Sequence, residues 1–318
     1  MKTAILFPGQ GSQYVGMGKD LFDGYAEARQ RFERANEVLD FDIASVMFGS
    51  GDESKAEAEG EALKQTDVTQ PALLIHSMAS WAVLQSRGVA PAMAAGHSLG
   101  EYSALTAAGA LTFDDGVRIA RERGRLMAGA GSDRKGAMAA VLGLDAAAVT
   151  SACDEVTSEG DGVVQPANFN STDQVVISGD ASAVERAMSL IGERGARRVI
   201  ALPVSGAFHS PLMEDARAGL AEALDSLEIR SPACPVYLNV TAEPTRDPEE
   251  IRRRLLEQLT SPVRWTQIMQ HMKEAGADRF IEVGAGKVLS GLAKRTLGRD
   301  AATAQAGKFD ELADITPA

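Results

Sequence analysis

Met93-Ala94-Ala95-Gly96-His97-Ser98-Leu99-Gly100-Glu101-Tyr102 reads as a short buried strand that ends at a Gly-x-Ser-x-Gly pentapeptide and turns at once into a helix. A serine at the tip of so sharp a turn sits in strained backbone, and the flanking glycines let strand and helix pack closely around it. The turn exposes the hydroxyl and sets the positive end of the new helix, with its free N–H groups, beside any carbon the oxygen attacks. The other role open to Ser98 is to cap the helix through its side chain. The remainder of the chain has to choose between the two.

The composition narrows the field. The 318 residues are 45% hydrophobic and 24% charged, ordinary for a globular protein and long enough for one large domain with an insertion, or two domains. A formal net charge of -12 disfavours non-specific binding to nucleic acid or to an anionic membrane. Cys153 and Cys234 make no disulfide framework and fit no zinc spacing. The four histidines are scattered, so no metal site is expected. Thr3–Phe7, stopped by Pro8-Gly9, is too short for a signal-peptide core or a membrane span, and a cytoplasmic location is expected.

Thr3–Phe7 is expected to be a buried parallel strand. The loop Pro8-Gly9-Gln10-Gly11-Ser12-Gln13 lacks the third glycine of a dinucleotide fingerprint, Tyr14 standing in its place. A loop of small residues here suits close approach of backbone N–H groups to a ligand. Helical spacing runs over 19–39, and 49–60 reads as a polar surface connection. The stretch 65–87 is a long helix, apolar almost all round and therefore central, with Pro71 in its first turn and His76 as a packed, hydrogen-bonded residue. Further helices follow at 101–109 and 113–129. The second carries Arg118, Arg121, Arg123 and Arg125, of which one can face inward.

From 136 to 202 the texture changes to strand 137–142, helix 145–159, strands 163–169 and 174–178, helix 181–194 and strand 197–202. That β-α-β-β-α-β order is that of a ferredoxin-like unit. It is expected to be inserted into a larger α/β domain, with Asn168 and Asn170 near the crevice between the two. Helices at 211–227, 248–259 and 263–276, a short strand at 235–239 and another at 279–283 complete the larger part. Gly284-Ala285-Gly286-Lys287, before a last helix to 297, resembles a phosphate cradle only superficially. Strands alternating with helices imply a mostly parallel sheet covered on both faces.

A serine nucleophile needs a base. His97 adjoins the serine on the chain but points elsewhere, and His76 and His271 lie inside helices. His209 alone occupies a glycine-containing loop after a strand, from which a base can reach a nucleophile; capping the next helix is its other possible role. At this point five ordered motifs come together: Phe7-Pro8-Gly9-Gln10-Gly11-Ser12-Gln13, Gly96-His97-Ser98-Leu99-Gly100-Glu101, Arg123-Gly124, Gly206-Ala207-Phe208-His209 and Gln258-Leu259. Jointly they resemble the malonyl-CoA:acyl carrier protein transacylases, nearly end to end and including the ferredoxin-like insertion.

The resemblance implies a large α/β-hydrolase-like catalytic subdomain (1–132 and 203–318) and a ferredoxin-like subdomain (133–202). It implies transfer of a malonyl group from malonyl-CoA to the phosphopantetheine thiol of acyl carrier protein by a ping-pong route, for fatty acid synthesis. Ser98 would be the nucleophile and His209 the base, oriented by a backbone carbonyl at Gln258 rather than by a carboxylate. Gln10 and Leu99 N–H groups would form the oxyanion hole. Arg123 would grip the malonate carboxylate with a two-pronged contact that lysine cannot reproduce. Phe208, His97, Asn168 and Gln70 would complete the substrate pocket. No resident cofactor is implied, because phosphopantetheine arrives on both substrates. An acidic carrier meeting an acidic enzyme calls for a local basic patch, with Arg194, Arg197, Arg198, Lys287, Lys294 and Arg295 as candidates. A monomer is expected.

Overall fold

The computed structural model describes residues 2–130, 135–160, 162–204 and 206–316, and these described residues form ten strands. They are β1 (Thr3–Phe7), β2 (Met93–Gly96), β3 (Gly136–Leu142), β4 (Val164–Ser171), β5 (Gln174–Asp180), β6 (Arg198–Ala201), β7 (Val236–Tyr237), β8 (Pro244–Thr245), β9 (Arg279–Val283) and β10 (Thr303–Ala306). Six build a sheet in the order β10-β9-β1-β2-β7-β8, parallel throughout except for the short edge strand β8. β1 and β2 are buried at every position, as strands covered on both faces must be. The carboxyl ends of β1, β2, β7 and β9 therefore share one edge. The loops after them converge there, where open α/β sheets bind ligands.

The other four strands form a separate antiparallel sheet, ordered β4-β5-β3-β6. The helices Ala146–Ser158 and Ala181–Glu193 cover one face, and the expected β-α-β-β-α-β order is present. Strand alternation divides the side chains between two cores. Ala139, Val141, Val175 and Ile177 pack under those helices, while Met138, Ala140, Ala167 and Val176 join the main core on the opposite face. The expected division at 132/133 lies outside the described residues.

The long central helix spans Thr66–Ser86 and is buried at almost every position through Leu84. Pro71 is in its interior rather than its first turn, where proline removes the hydrogen bond to the carbonyl four residues back. The stranded Asp67 carbonyl is instead taken by Arg121 Nη1 at 2.5 Å. His76 is buried within this helix but its ring nitrogens have no hydrogen-bond partner among the described residues, contrary to expectation; burial pushes its pKa down to about 4.

Other expectations needed correction for tertiary reasons. The helix expected over 19–39 breaks at Tyr25 into Lys19–Gly24 and Ala26–Leu39. Tyr25 stacks on Phe309 at 4.7 Å, and a β-carbon at Gly24 would lie 2.3 Å from the same ring, so the unforeseen helix Phe309–Ala313 docks at the break. The presumed connection 49–60 contains a 3-10 turn at Glu53–Lys55 and enters the helix Ala56–Lys64. Asp52 caps the turn by accepting from Ser54 N–H, and Glu57 and Glu59 favour the helix N-terminus. The loop 284–287, expected to resemble a phosphate cradle only superficially, is closed from within. The Glu282 carboxylate already accepts the N–H groups of Leu289 and Ser290 at 3.0 and 2.8 Å, filling the anion position of that helix from within. Strands β8 and β10 are too short to carry a periodic signal.

The pentapeptide glycines are required by contact rather than by dihedral angle. A β-carbon on Gly96 would fall 1.8 Å from the Gly100 carbonyl oxygen, and one on Gly100 would fall 2.1 Å from the Phe7 carbonyl oxygen. Gly100→Ala is accordingly expected to destabilise the protein by about 3 kcal/mol or more, measured as a lowered denaturation midpoint at unchanged m-value.

Candidate active site

Ser98 is in the left-handed region, with φ 53, a conformation that costs an L-residue about 1–3 kcal/mol and survives only when its surroundings over-determine it. The following helix, Gly100–Ala107, has no side-chain cap, so Ser98 does not serve as one. Its hydroxyl instead lies 2.8 Å from His209 Nε2. His209 Nδ1 lies 2.8 Å from the Gln258 carbonyl oxygen. A carbonyl only accepts, so Nδ1 carries the proton, Nε2 is bare, and Ser98 O–H donates to it.

His209 also has a left-handed backbone, φ 59, and the helical turn after it is capped by Ser210, not by the histidine. Its carbonyl accepts from Gln165 Nε2 at 2.8 Å, a side chain of β4 that reaches across from the antiparallel sheet and also bonds Thr260 O. Burial first, and then the nearby Arg123 charge, push the His209 pKa down to about 3. The imidazole is therefore neutral, the form a base must have.

Arg123, 1% exposed, is the inward-facing member of the arginine series on Phe113–Gly129. Nη1 donates to Gln70 Oε1 at 2.7 Å, and Nη2 to Gln258 Oε1 at 2.8 Å and to Ser98 Oγ at 3.2 Å. Its Nε has no partner among the described residues, and the Tyr102 ring lies 5.4 Å away. Two glutamine carbonyls thus hold a buried cation against the serine without neutralising it. Gln70 acts from behind Arg123, which it orients, rather than from the cleft wall.

Three residues at the site escaped sequence reasoning: Gln165, which holds the His209 carbonyl, and the pair Asn239 and Glu101. Asn239, just past β7, accepts Ser98 N–H on Oδ1 at 2.7 Å, and Glu101 Oε2 accepts the Asn239 backbone N–H at 2.7 Å. Both are fully buried, and burial pushes the Glu101 pKa up to about 7. A glutamate inside the apolar start of a helix is a local signal that could have singled out Glu101. Asn239 carries none, because only the pairing of β7 with β2 brings it to the turn.

A cleft of about 240 Å³ opens over Ser98 and His209. Gly9, Gln10, His97, Asn168, Asn170, Phe208, Met127 and Met138 are among its lining residues. The backbone N–H groups of Gln10 and Leu99 meet no acceptor among the described residues. His97 Nε2 lies 2.7 Å from Asn170 Oδ1, and its ring packs by Trp265. The mouth continues into a groove lined by Ile200, Lys287, Val288 and Arg295. Of the other candidate basic residues, Arg194 pairs with Glu155 and Arg197 with Asp173, whereas Lys294 and Arg198 form no ion pair within 4.0 Å among the described residues. No group of three or more metal-ligating side chains occurs among the described residues, and no helix there is long and apolar enough to cross a membrane.

Comparison with known proteins adds to this geometry. The acyl transferase domain family matches residues 5–310. The chain belongs to that family. It is 46% identical over 294 residues to the malonyl CoA-acyl carrier protein transacylase of Bacillus subtilis, covering 92% of this chain and 90% of that one. An acyl carrier protein S-malonyltransferase from Vibrio cholerae superposes with a TM-score of 0.92 at 43% identity, over 98% of this chain and 99% of its own. A malonyl-transacylase solved in complex with its type II polyketide synthase acyl carrier protein superposes at 0.91 and 40% identity, with 98% of both chains covered. The fold is shared with both solved structures over 98% of this chain.

Proposed function

We propose that this chain is a malonyl-CoA:acyl carrier protein S-malonyltransferase working through a malonyl-serine intermediate. The observation that carries the reading is the shared Ser98 hydroxyl. One side meets a neutral histidine base and the other a buried guanidinium that forms no ion pair within 4.0 Å among the described residues, the buried Glu101 acting on it only from beyond that distance. An esterase has no use for that cation, but an acyl group with a free carboxylate supplies what it lacks.

In the first half-reaction Ser98 Oγ attacks the thioester carbon while His209 Nε2 takes its proton. The Gln10 and Leu99 N–H groups receive the oxyanion, each worth about 3 kcal/mol of transition-state stabilisation. The C–S bond breaks and His209 returns the proton to the CoA sulfur. In the second half, the phosphopantetheine thiol of the carrier gives its proton to His209 and attacks the ester carbonyl. The protonated His209 then restores the Ser98 hydroxyl. Phosphopantetheine enters only on the substrates. The catalytic subdomain comprises 1–132 and 203–318, and 133–202 forms the ferredoxin-like one, a division supported by the two separate sheets and the distinct core under the smaller.

Incubation with malonyl-CoA followed by intact mass measurement tests this reading. A stable malonyl adduct that acyl carrier protein discharges is expected; release of free malonate at full speed without the acceptor would mean a hydrolase. Because the free-enzyme pKa of His209 is lowered to about 3, the base form persists as pH falls. The kcat/KM for malonyl-CoA is therefore expected to stay level through pH 6.5, with its acid limb well below the ordinary imidazole range. An inflection at pH 6.5 would contradict the burial argument.

For the carrier, Ile200 and Val288, 46% and 50% exposed, give the groove an apolar mouth between Lys287 and Arg295. Charge reversal at Lys287 or Arg295 is expected to raise the KM for acyl carrier protein several-fold and leave that for malonyl-CoA unchanged. Equal effects on both substrates would exclude docking there.

A further inference from the structure

Asn239 spans the nucleophile turn from one end to the other. Its Nδ2 donates to the Gly96 carbonyl at 2.7 Å, and its Oδ1 accepts the Ser98 N–H at 2.7 Å. The same Oδ1 takes a longer contact of 3.4 Å from Gln258 Nε2, which also donates to the Ser98 carbonyl at 3.1 Å. The bracket is itself anchored. Asn239 N–H is held by Glu101 Oε2, its carbonyl accepts Arg264 N–H at 2.9 Å, and the β2–β7 ladder ends two residues before it. All of this is fully buried for Asn239, Glu101 and Gln258.

We propose that Asn239, backed by Glu101, is a positioning residue for the nucleophile: its amide holds Ser98 in the left-handed turn that aims Oγ at His209. The proposal rests on reading Ser98 as the nucleophile. The chemistry demands an amide. One end must donate to a carbonyl and the other must accept from an N–H, and among side chains of this length only asparagine does both. By engaging the Ser98 N–H, the bracket also leaves Leu99 as the donor of the turn that meets no acceptor among the described residues. Without it, Ser98 relaxes from its strained angle and Oγ shifts, and a misplacement of about 1 Å costs on the order of 100-fold in rate.

The test compares Asn239→Leu and Asn239→Asp with the unaltered protein. The measurements are the single-turnover rate of malonyl-enzyme formation, the KM for malonyl-CoA and the labelling rate of Ser98 by a fluorophosphonate, all below each variant's own melting temperature. Asn239→Leu, which loses both ends of the bracket, is expected to slow acylation and labelling about 100-fold with KM within about threefold. Asn239→Asp keeps the acceptor and loses the donor, and is expected to slow both by about tenfold. If folded Asn239→Leu acylates within threefold of the unaltered protein, or if the two variants are equally slow, the proposal falls. Should Asn239→Leu fail to fold, Asn239→Asp decides alone, and a rate within twofold of the unaltered protein overturns the proposal. The unaltered protein failing to form the adduct or take the label would instead tell against the functional reading.

Discussion

Ser98→Ala is expected to abolish the malonyl adduct and to lower malonyl transfer by about 10⁶-fold, the scale on which removing an activated serine acts. The loss should appear in kcat, with malonyl-CoA still bound, because Arg123, Phe208 and the cleft walls are untouched. Stability should change little or rise, since alanine removes no buried donor that the rest of the fold depends on: among the described residues the hydroxyl serves only His209 and Arg123. His209→Ala should be nearly as severe alone, and the double variant no worse than the single ones, because the two groups act as one unit. An adduct that survives Ser98→Ala on intact mass measurement would defeat the mechanism.

The second large effect is expected at Arg123. Arg123→Ala leaves Gln70 Oε1 and Gln258 Oε1 without the donor that now joins them, and unmatched buried acceptors cost about 1–3 kcal/mol each. Malonyl transfer should therefore fall by several orders of magnitude while the protein loses some stability. The more informative change is in selectivity. An acetyl thioester presents no carboxylate, so in the native protein it leaves the buried guanidinium charge in place beside Ser98. That charge is also the second cause holding down the His209 pKa. Removing it is expected to shift the acid limb of the pH–rate profile upward and to bring acetyl transfer close to malonyl transfer. Arg123→Lys should not rescue, because a single ammonium cannot hold two glutamine carbonyls and a carboxylate with the same planar fork. Equal percentage losses for malonyl-CoA and acetyl-CoA would show that Arg123 does not select the acyl group.

Much of this protein is legible along the chain because much of it is local. The buried strands β1, β2 and β9 are short apolar runs ended by glycine or proline. The β-α-β-β-α-β unit announces itself by alternating periods, and the pentapeptide states its own geometry. Ser98 and His209 could be paired before any coordinates because few histidines were free of helices. Arg123 could be singled out from its neighbours only by resemblance, since four arginines on one helix look alike until the helix is packed.

What local reading missed has a common cause. The break at Tyr25 comes from a helix nearly 300 residues later, and the tolerance of Pro71 comes from Arg121 on another helix. The carboxylate that closes the 284–287 loop to phosphate, Glu282, is two residues before the loop, but its orientation toward the Leu289 and Ser290 N–H groups is set by tertiary packing. The supports of the nucleophile are of the same kind. Asn239 and Gln165 are uncharged amides, unremarkable in any window of sequence, and each reaches its partner across a sheet edge or between the two sheets; Gln258 was legible by resemblance for its carbonyl, but not for the side chain that reaches Ser98 O and Arg123. The amino-acid sequence by itself determined the sharp turn at Ser98, its flanking glycines and the chemistry available to it. Only the tertiary structure decided what holds that turn at an unfavourable angle and which arginine lies against the hydroxyl. A turn's shape follows from the residues in it, whereas strain and buried charge persist only through partners that folding brings from far along the chain.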